Sequence, residues 1–231
     1  MQAWNVFYEQ MFVLEGYKKV LLGLKNTALI AIFGLLIGML IGCLLATCKI
    51  LPKTSPIVKI LSGFANVYVA VFRGTPMVVQ LLLMYFVIFP AIGLEISALV
   101  VAILAFGFNS GAYVCEIMRG GILSVDIGQT EAGRALGLNY AQTMMRIVLP
   151  QAIKNVVPTL GNEFIALLKE TSVVSFITVV DVTKAFQNMA NSTYEYIVPY
   201  VMLALIYLVI VLAVTGIIKL VERRMRAGDR R

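Results

Sequence analysis

Histidine is absent from this chain, which removes the commonest general base and metal ligand from any enzymatic reading. Cysteine is scarce. Cys43, Cys48 and Cys115 show neither metal-binding nor redox spacing and read as small packing residues. No glycine-rich loop ending in Gly-Lys-Ser or Gly-Lys-Thr is present, so the chain cannot hydrolyse ATP alone. With no nucleophile–base pair or metal cluster to carry chemistry, an intramembrane enzyme is excluded. Charge is sparse at 13% of the 231 residues, whereas 60% are hydrophobic. A soluble domain of this length cannot hide that much apolar surface in one core. No cleavable signal peptide is expected, because the first apolar run starts late and is too long. Leu40-Ile41-Gly42-Cys43 mimics a lipoprotein cleavage box but lies deep inside that run.

The apolar residues are gathered into long runs. Residues 26–48, 74–94, 96–115 and 196–218 contain no charge, and each reaches the roughly 20 residues a spanning helix needs. A fifth run, about 153–168, holds one acid, Glu163. The expected fold is all-α: a polytopic membrane bundle of five transmembrane helices in one domain over 1–231. Residues 1–25 form an outer interfacial segment rich in aromatics, 26–222 the five-helix core, and 223–231 a basic tail.

The net charge of +7 is informative by placement. With the loop at about 119–152 inside, fourteen basic residues fall inside, including Lys49, Lys53, Lys59, Arg73, Arg119, Arg134 and Arg146. Only Lys18, Lys19, Lys25, Lys169 and Lys184 stay outside. The positive-inside rule then predicts an N-terminus out and a C-terminus in. A basic tail beside anionic lipid needs no nucleic-acid partner.

Along the chain, Asn26 and Thr27 can cap the first span. Gly34, Gly38 and Gly42 recur every four residues and build a smooth face for close helix contact. Pro52 and Pro56 mark an inner turn, and 57–72 is an amphipathic stretch at the inner interface. Asn109, Tyr113 and Glu116 share one helical face, which should point into the bundle. Glu116 and Arg119, three apart, can pair. Residues 173–180 can dip in from outside, capped by a short helix over 181–189.

One stretch carries both charge signs between apolar spans: Glu131-Ala132-Gly133, then Gly137, then Ile147-Val148-Leu149-Pro150. Glu131 is expected near the start of a helix running to Leu136, where the dipole favours an acid. Gly137 can end that helix in the left-handed conformation. Ala141, Met144, Met145 and Val148 give a second helix one apolar face, and Pro150 suits a turn or the opening of the next helix. The fixed gaps resemble the E-A-A…G…I-x-L-P signature of permease subunits of bacterial ABC importers, with Gly133 in place of the third-position Ala. Arg73-Gly74-Thr75-Pro76, Arg119-Gly120-Gly121-Ile122, Gly128-Gln129-Thr130-Glu131 and Leu167-Leu168-Lys169-Glu170-Thr171-Ser172 are similar to the polar amino-acid branch of that family.

This resemblance implies the ABC type I importer permease fold in the bacterial cytoplasmic membrane. It implies import of a polar amino acid of the glutamine, glutamate, arginine, lysine and histidine class by alternating access. Glu131, Ala132, Gly133, Gly137, Ile147, Leu149 and Pro150 would couple the chain to a separate ATPase, which holds ATP and Mg; this chain binds no cofactor or metal. Other implied partners are a second permease chain, identical or paralogous, and an extracytoplasmic solute-binding protein. A free-standing carrier or channel is the competing class, but such proteins usually show internal repeats and none is evident here.

In the fourth span Thr159, Glu163, Ala166 and Glu170 fall on one stripe with Asn162 beside it. An acid inside a membrane helix is a functional candidate, and Glu163 sits where a substrate ammonium could be held. Asn162, Asn109 and Gln80 are further substrate-binding candidates, each offering donor and acceptor to a zwitterion. The alternative is that Glu163 forms a structural ion pair, with Lys169 or a base from another helix.

Overall fold

The computed structural model describes residues 2–227, and every regular element among them is helical. α1 (Gln2–Tyr8) widens into a π turn at Glu9–Val13, and Glu15 redirects the chain with φ of 55°. α2 (Gly16–Ile50) then runs without interruption. Lys18, Lys19 and Lys25 therefore ride on the first long helix rather than on a separate interfacial segment. The cap expected at Asn26 and Thr27 is not made, since both lie inside α2. Nothing between Gly16 and Asn26 breaks a helix, and lysine and leucine favour one. Asn26 serves elsewhere, donating its side-chain amide to Val180 O at 2.8 Å.

α3 (Pro56–Gly74) and α4 (Met77–Ala91) are separated by a break at Thr75-Pro76. α5 (Ala98–Leu123) leads into α6 (Ile127–Ala135). α7 (Tyr140–Thr143) passes through a π turn at Met144–Val148 into α8 (Leu149–Glu170) without leaving helical conformation. A 3-10 segment at Thr171–Ile177, α9 (Val182–Thr193) and α10 (Ile197–Ala227) complete the described chain. The end of the basic tail, with Arg230 and Arg231, lies outside the described residues.

Among the described residues α2, α3, α5 and α10 are long and apolar enough to cross a membrane. α3, expected as an interfacial stretch, thus qualifies, while α4 is apolar but shorter. α8 is not among the four, because Lys154, Asn155, Asn162 and Glu163 break its apolar surface.

Two prolines shape the helices alike. The π turns at Met84–Ile88 and Met144–Val148 each end two residues before a proline, Pro90 and Pro150. A proline donates no N–H and its ring crowds the carbonyl four residues back. Widening the preceding turn accommodates both effects.

The centre of the fold is the α2–α5 seam. A Cβ added at Gly34, Gly38 or Gly42 would lie 3.1, 2.7 or 2.6 Å from the Cβ of Phe106, Ser110 or Val114. In return Gly107 and Gly111 of α5 receive Ile37 and Ile41, with the same lack of room for a side chain. Both helices present small residues so that their backbones approach closely. Ile30, Ala31, Val101, Ala105 and Phe106 are buried along the seam, with Leu81 of α4 and Leu167 of α8 against it. At the other end of α2, Gly23 abuts the Asp181 backbone. The Asp181 carboxylate caps α9 by accepting from the amides of Thr183 and Lys184. Burial pushes that carboxyl up from its usual range, and the two amides pull it back.

Candidate functional site

The break between α3 and α4 has a chemical cause. Gly74 and Thr75 precede Pro76, which cannot donate, so the carbonyls at the end of α3 lose their helical partners. Gln80 replaces them. Its Nε2 donates to Phe72 O at 2.8 Å, Thr75 O at 3.0 Å and Thr75 Oγ1 at 2.8 Å. Asn109 of α5 joins from across the bundle, its Nδ2 donating to Gln80 Oε1 at 2.9 Å and Phe72 O at 3.3 Å. Both side chains are buried. The structure thus brings Gln80 and Asn109 together, around a broken helix end near the middle of α5.

Glu163 sits differently. Ser110 Oγ donates to Glu163 Oε1 at 2.9 Å, and Gly38 behind Ser110 leaves that serine the room it occupies. Glu163 is half-buried and Asn162 beside it exposed. None of the ion pairs found among the described residues includes Glu163. Thr159, one turn along α8, lines a cleft of about 440 Å³ shared with Arg73, Tyr113, Glu116, Ser124 and Asn155. The cleft extends towards the α5–α6 connection, where Asn155 Nδ2 donates to Ser124 Oγ at 2.9 Å. Within it the Arg73 guanidinium lies 5.2 Å from the centroid of the Tyr113 ring. Asn109 and Tyr113 share a helix face as the sequence indicates, yet one serves the helix break and the other the cleft.

At the cleft edge, Glu116 holds Arg119 at 2.8 Å, as its spacing suggested, and Lys49 of α2 at 2.5 Å. Lys49 was not foreseen: 67 residues separate the pair, and no local pattern marks it. Ser110 was missed for a similar reason.

The charged loop folds as a compact hairpin of α6 and α7. Its first helix begins earlier than expected. Asp126 caps it by accepting from Gly128 N at 2.7 Å, so Glu131 lies within the helix rather than at its start. Gly137 has φ of 79° and closes α6 as anticipated. Leu138 N reaches Gly133 O at 3.1 Å and Gly137 N reaches Arg134 O at 2.9 Å, the paired bonds of a left-handed helix stop. Asn139 and Gln142 then form a reciprocal capping box at the start of α7.

Gly133, the departure from an alanine at this place, is buried. A Cβ there would lie 2.8 Å from Thr143 Cγ2 and 3.0 Å from Ile147 Cδ1, so the two arms meet at this glycine. Ile147 and Leu149 are half-buried. Glu131, Ala132 and Pro150 are exposed, as are the large apolar side chains of Leu123, Ile127, Leu136 and Met145. A capped hairpin with exposed apolar side chains can serve as a docking element.

Residues 34–227 match the family model described as binding-protein-dependent transport system inner membrane component. The arginine transport system permease protein ArtQ of Bacillus subtilis (strain 168) is 40% identical over 210 residues, spanning 91% of this chain and 94% of that protein. A putative glutamine transport system permease protein, GlnP of Rickettsia conorii, is 39% identical over 220 residues and 95% of each chain. Among solved structures, an amino acid ABC transporter with histidines superposes with a TM-score of 0.84 at 40% identity, over 93% of this chain and 97% of that one. The inward-facing MetNI methionine ABC transporter shares the fold, with a TM-score of 0.67 at 19% identity over 90% and 95%.

Proposed function

This chain belongs to the family of binding-protein-dependent transport system inner membrane components, as a permease of the amino-acid ABC type, and we propose that it moves a polar amino acid across the cytoplasmic membrane by alternating access, driven by a separate ATPase. The observation that carries this reading is the capped hairpin of α6 and α7, with Ile127 and Leu136 exposed on it and Leu123 and Met145 exposed at its two ends. ATP and Mg belong to the ATPase, which docks on Glu131, Ala132, Gly133, Gly137, Ile147, Leu149 and Pro150 and their surroundings. A second permease chain and an extracytoplasmic solute-binding protein complete the importer. Relatives named for arginine and glutamine transport support a cargo of that polar class.

Five crossings follow if α3 and α4 together make one, broken midway, with α2, α5, α8 and α10 as the others. The N-terminus is then outside and the hairpin inside. Single cysteines placed at Asn139 and Asn191 test this: a membrane-impermeant thiol reagent applied from outside should label only the second. Labelling of both from one side would overturn the orientation.

Glu163 takes the ammonium of the cargo, with Asn162 beside it, while Gln80 and Asn109 fix the broken helix. Coupling is tested by Gly137→Val. A β-branched residue cannot comfortably hold φ of 79°, so the hairpin should lose its stop while the spans stay intact. Substrate-stimulated ATPase activity should fall by about tenfold or more, since strain of about 1–3 kcal/mol is concentrated at the docking element. Wild-type uptake and ATPase activity in that variant would sink the docking assignment.

A further inference from the structure

Arg73 belongs to a motif that the coupling loop and Glu163 leave without a role. It is the basic residue of the last turn of α3, directly before the Gly74-Thr75-Pro76 break. That break lies opposite Asn109, near the middle of α5. Arg73 is exposed on the chain, and a guanidinium held at that depth of a membrane is costly unless an anion answers it. The carboxylate that lines the cleft, Glu116, is already shared between Lys49 and Arg119. None of the ion pairs found among the described residues includes Arg73. Its guanidinium is steadied over the Tyr113 ring instead, 5.2 Å from the centroid, which leaves its N–H edge free. A guanidinium stacked in this way offers a planar fork that fits a carboxylate through two parallel hydrogen bonds.

Beyond the α8 edge of the cleft lies the other sign. Thr159 lines it, and Glu163 lies one turn further along α8, about 6 Å in rise. One oxygen of Glu163 is bound by Ser110, and the other has no hydrogen-bond partner among the described residues. A fork for a carboxylate thus lies in a cleft of about 440 Å³, room enough for an amino acid, and a free carboxylate oxygen for an ammonium lies one helical turn beyond its edge at Thr159.

We propose that Arg73 binds the α-carboxylate of the amino-acid cargo in the cleft beside Tyr113 and Thr159, on the side of Glu163 nearer the coupling hairpin. This rests on the reading of Glu163 as the ammonium ligand. It adds that the α-carboxylate is recognised by this chain itself, so that a cargo lacking the carboxylate is refused even after delivery.

The test uses the full permease–ATPase complex in lipid nanodiscs, without the binding protein. Equilibrium binding of L-arginine and L-glutamine is measured against L-argininamide and L-glutaminamide, which keep the ammonium and lose the carboxylate charge. The wild-type complex should prefer an acid over its amide by about ten- to a hundredfold, the range of a charge-assisted pair. Arg73→Gln should collapse that ratio towards one, and Arg73→Lys, which keeps the charge but not the fork, should restore part of it. Glu163→Gln should weaken acid and amide by the same factor and leave the ratio standing, which separates a failure at Glu163 from a failure at Arg73. A wild-type complex without preference for an acid over its amide overturns the proposal, as does an unchanged ratio in Arg73→Gln. If Arg73→Gln weakens acid and amide equally, and removing phosphatidylglycerol from the nanodisc reproduces that loss in the wild type, Arg73 serves a lipid phosphate and the proposal falls. Should Arg73→Gln fail to assemble, Arg73→Lys carries the same decision.

Discussion

Two polar clusters lie within the bundle, and they differ in how far they are finished. Around the α3–α4 break, Gln80 and Asn109 spend their amides on each other and on the carbonyls of Phe72 and Thr75. The bonds to Phe72 O and Thr75 O answer carbonyls at the broken helix end, and the bond from Asn109 to Gln80 holds the two amides in place. Around Glu163 there is, among the described residues, one hydrogen bond, from Ser110, and the side chain is only half-buried, one turn from the cleft edge at Thr159. A buried polar group that is fully bonded rigidifies a fold, whereas one left partly unbonded inside the bundle is available to a ligand. Sequence chemistry alone puts Gln80, Asn109 and Glu163 in one class of candidate. Their surroundings divide them.

Breaking the finished cluster should cost the most. Gln80→Leu strands the carbonyl of Thr75 and leaves Phe72 O and the Asn109 amide only the longer 3.3 Å bond to each other, at a stability cost on the order of 3 kcal/mol. The purified complex should unfold at a markedly lower temperature whether or not substrate is present. A variant as stable as the wild type would show that water already serves those groups and that the cluster is not closed.

A smaller effect, and one of a different kind, is expected at the open cluster. Glu163→Gln keeps the shape and the bond from Ser110 but removes the charge. The complex should assemble and melt normally, while uptake falls about tenfold or more and preference moves away from cationic amino acids. Ser110→Ala should move uptake in the same direction by only a few-fold. If Glu163→Gln instead lowers the melting temperature as Gln80→Leu does, with transport preference unchanged, the two clusters are alike and Glu163 is structural.

What the sequence revealed divides along the same line as local and distant contact. The hairpin was legible because its devices are short-range: Gly137 as a stop and the fixed gap to Ile147-Val148-Leu149-Pro150. Its start was misplaced, because Asp126 caps α6 five residues before Glu131 and an acid in either place satisfies the helix dipole. Gly34, Gly38 and Gly42 announced a packing face, whereas the matching pair Gly107 and Gly111 passed unread among many small residues of α5. Ser110 with Glu163, 53 residues apart, and Lys49 with Glu116, 67 apart, could not be read at all. No periodicity spans such separations, and only the folded chain brings the partners together.

The unbroken helical path from α7 through the π turn into α8 ties the hairpin to Glu163 as the two arms of a lever. Its fulcrum is the widened turn at Met144–Val148, held under Gly133 on one side and seated before Pro150 on the other. From the middle of that turn to Glu163 is about 25 Å along the axis at 1.5 Å per residue, so a tilt of about 5° there displaces the carboxylate by about 2 Å. Under the proposed docking, force applied to the hairpin arm arrives at Glu163 as a shift comparable to a hydrogen bond made or lost.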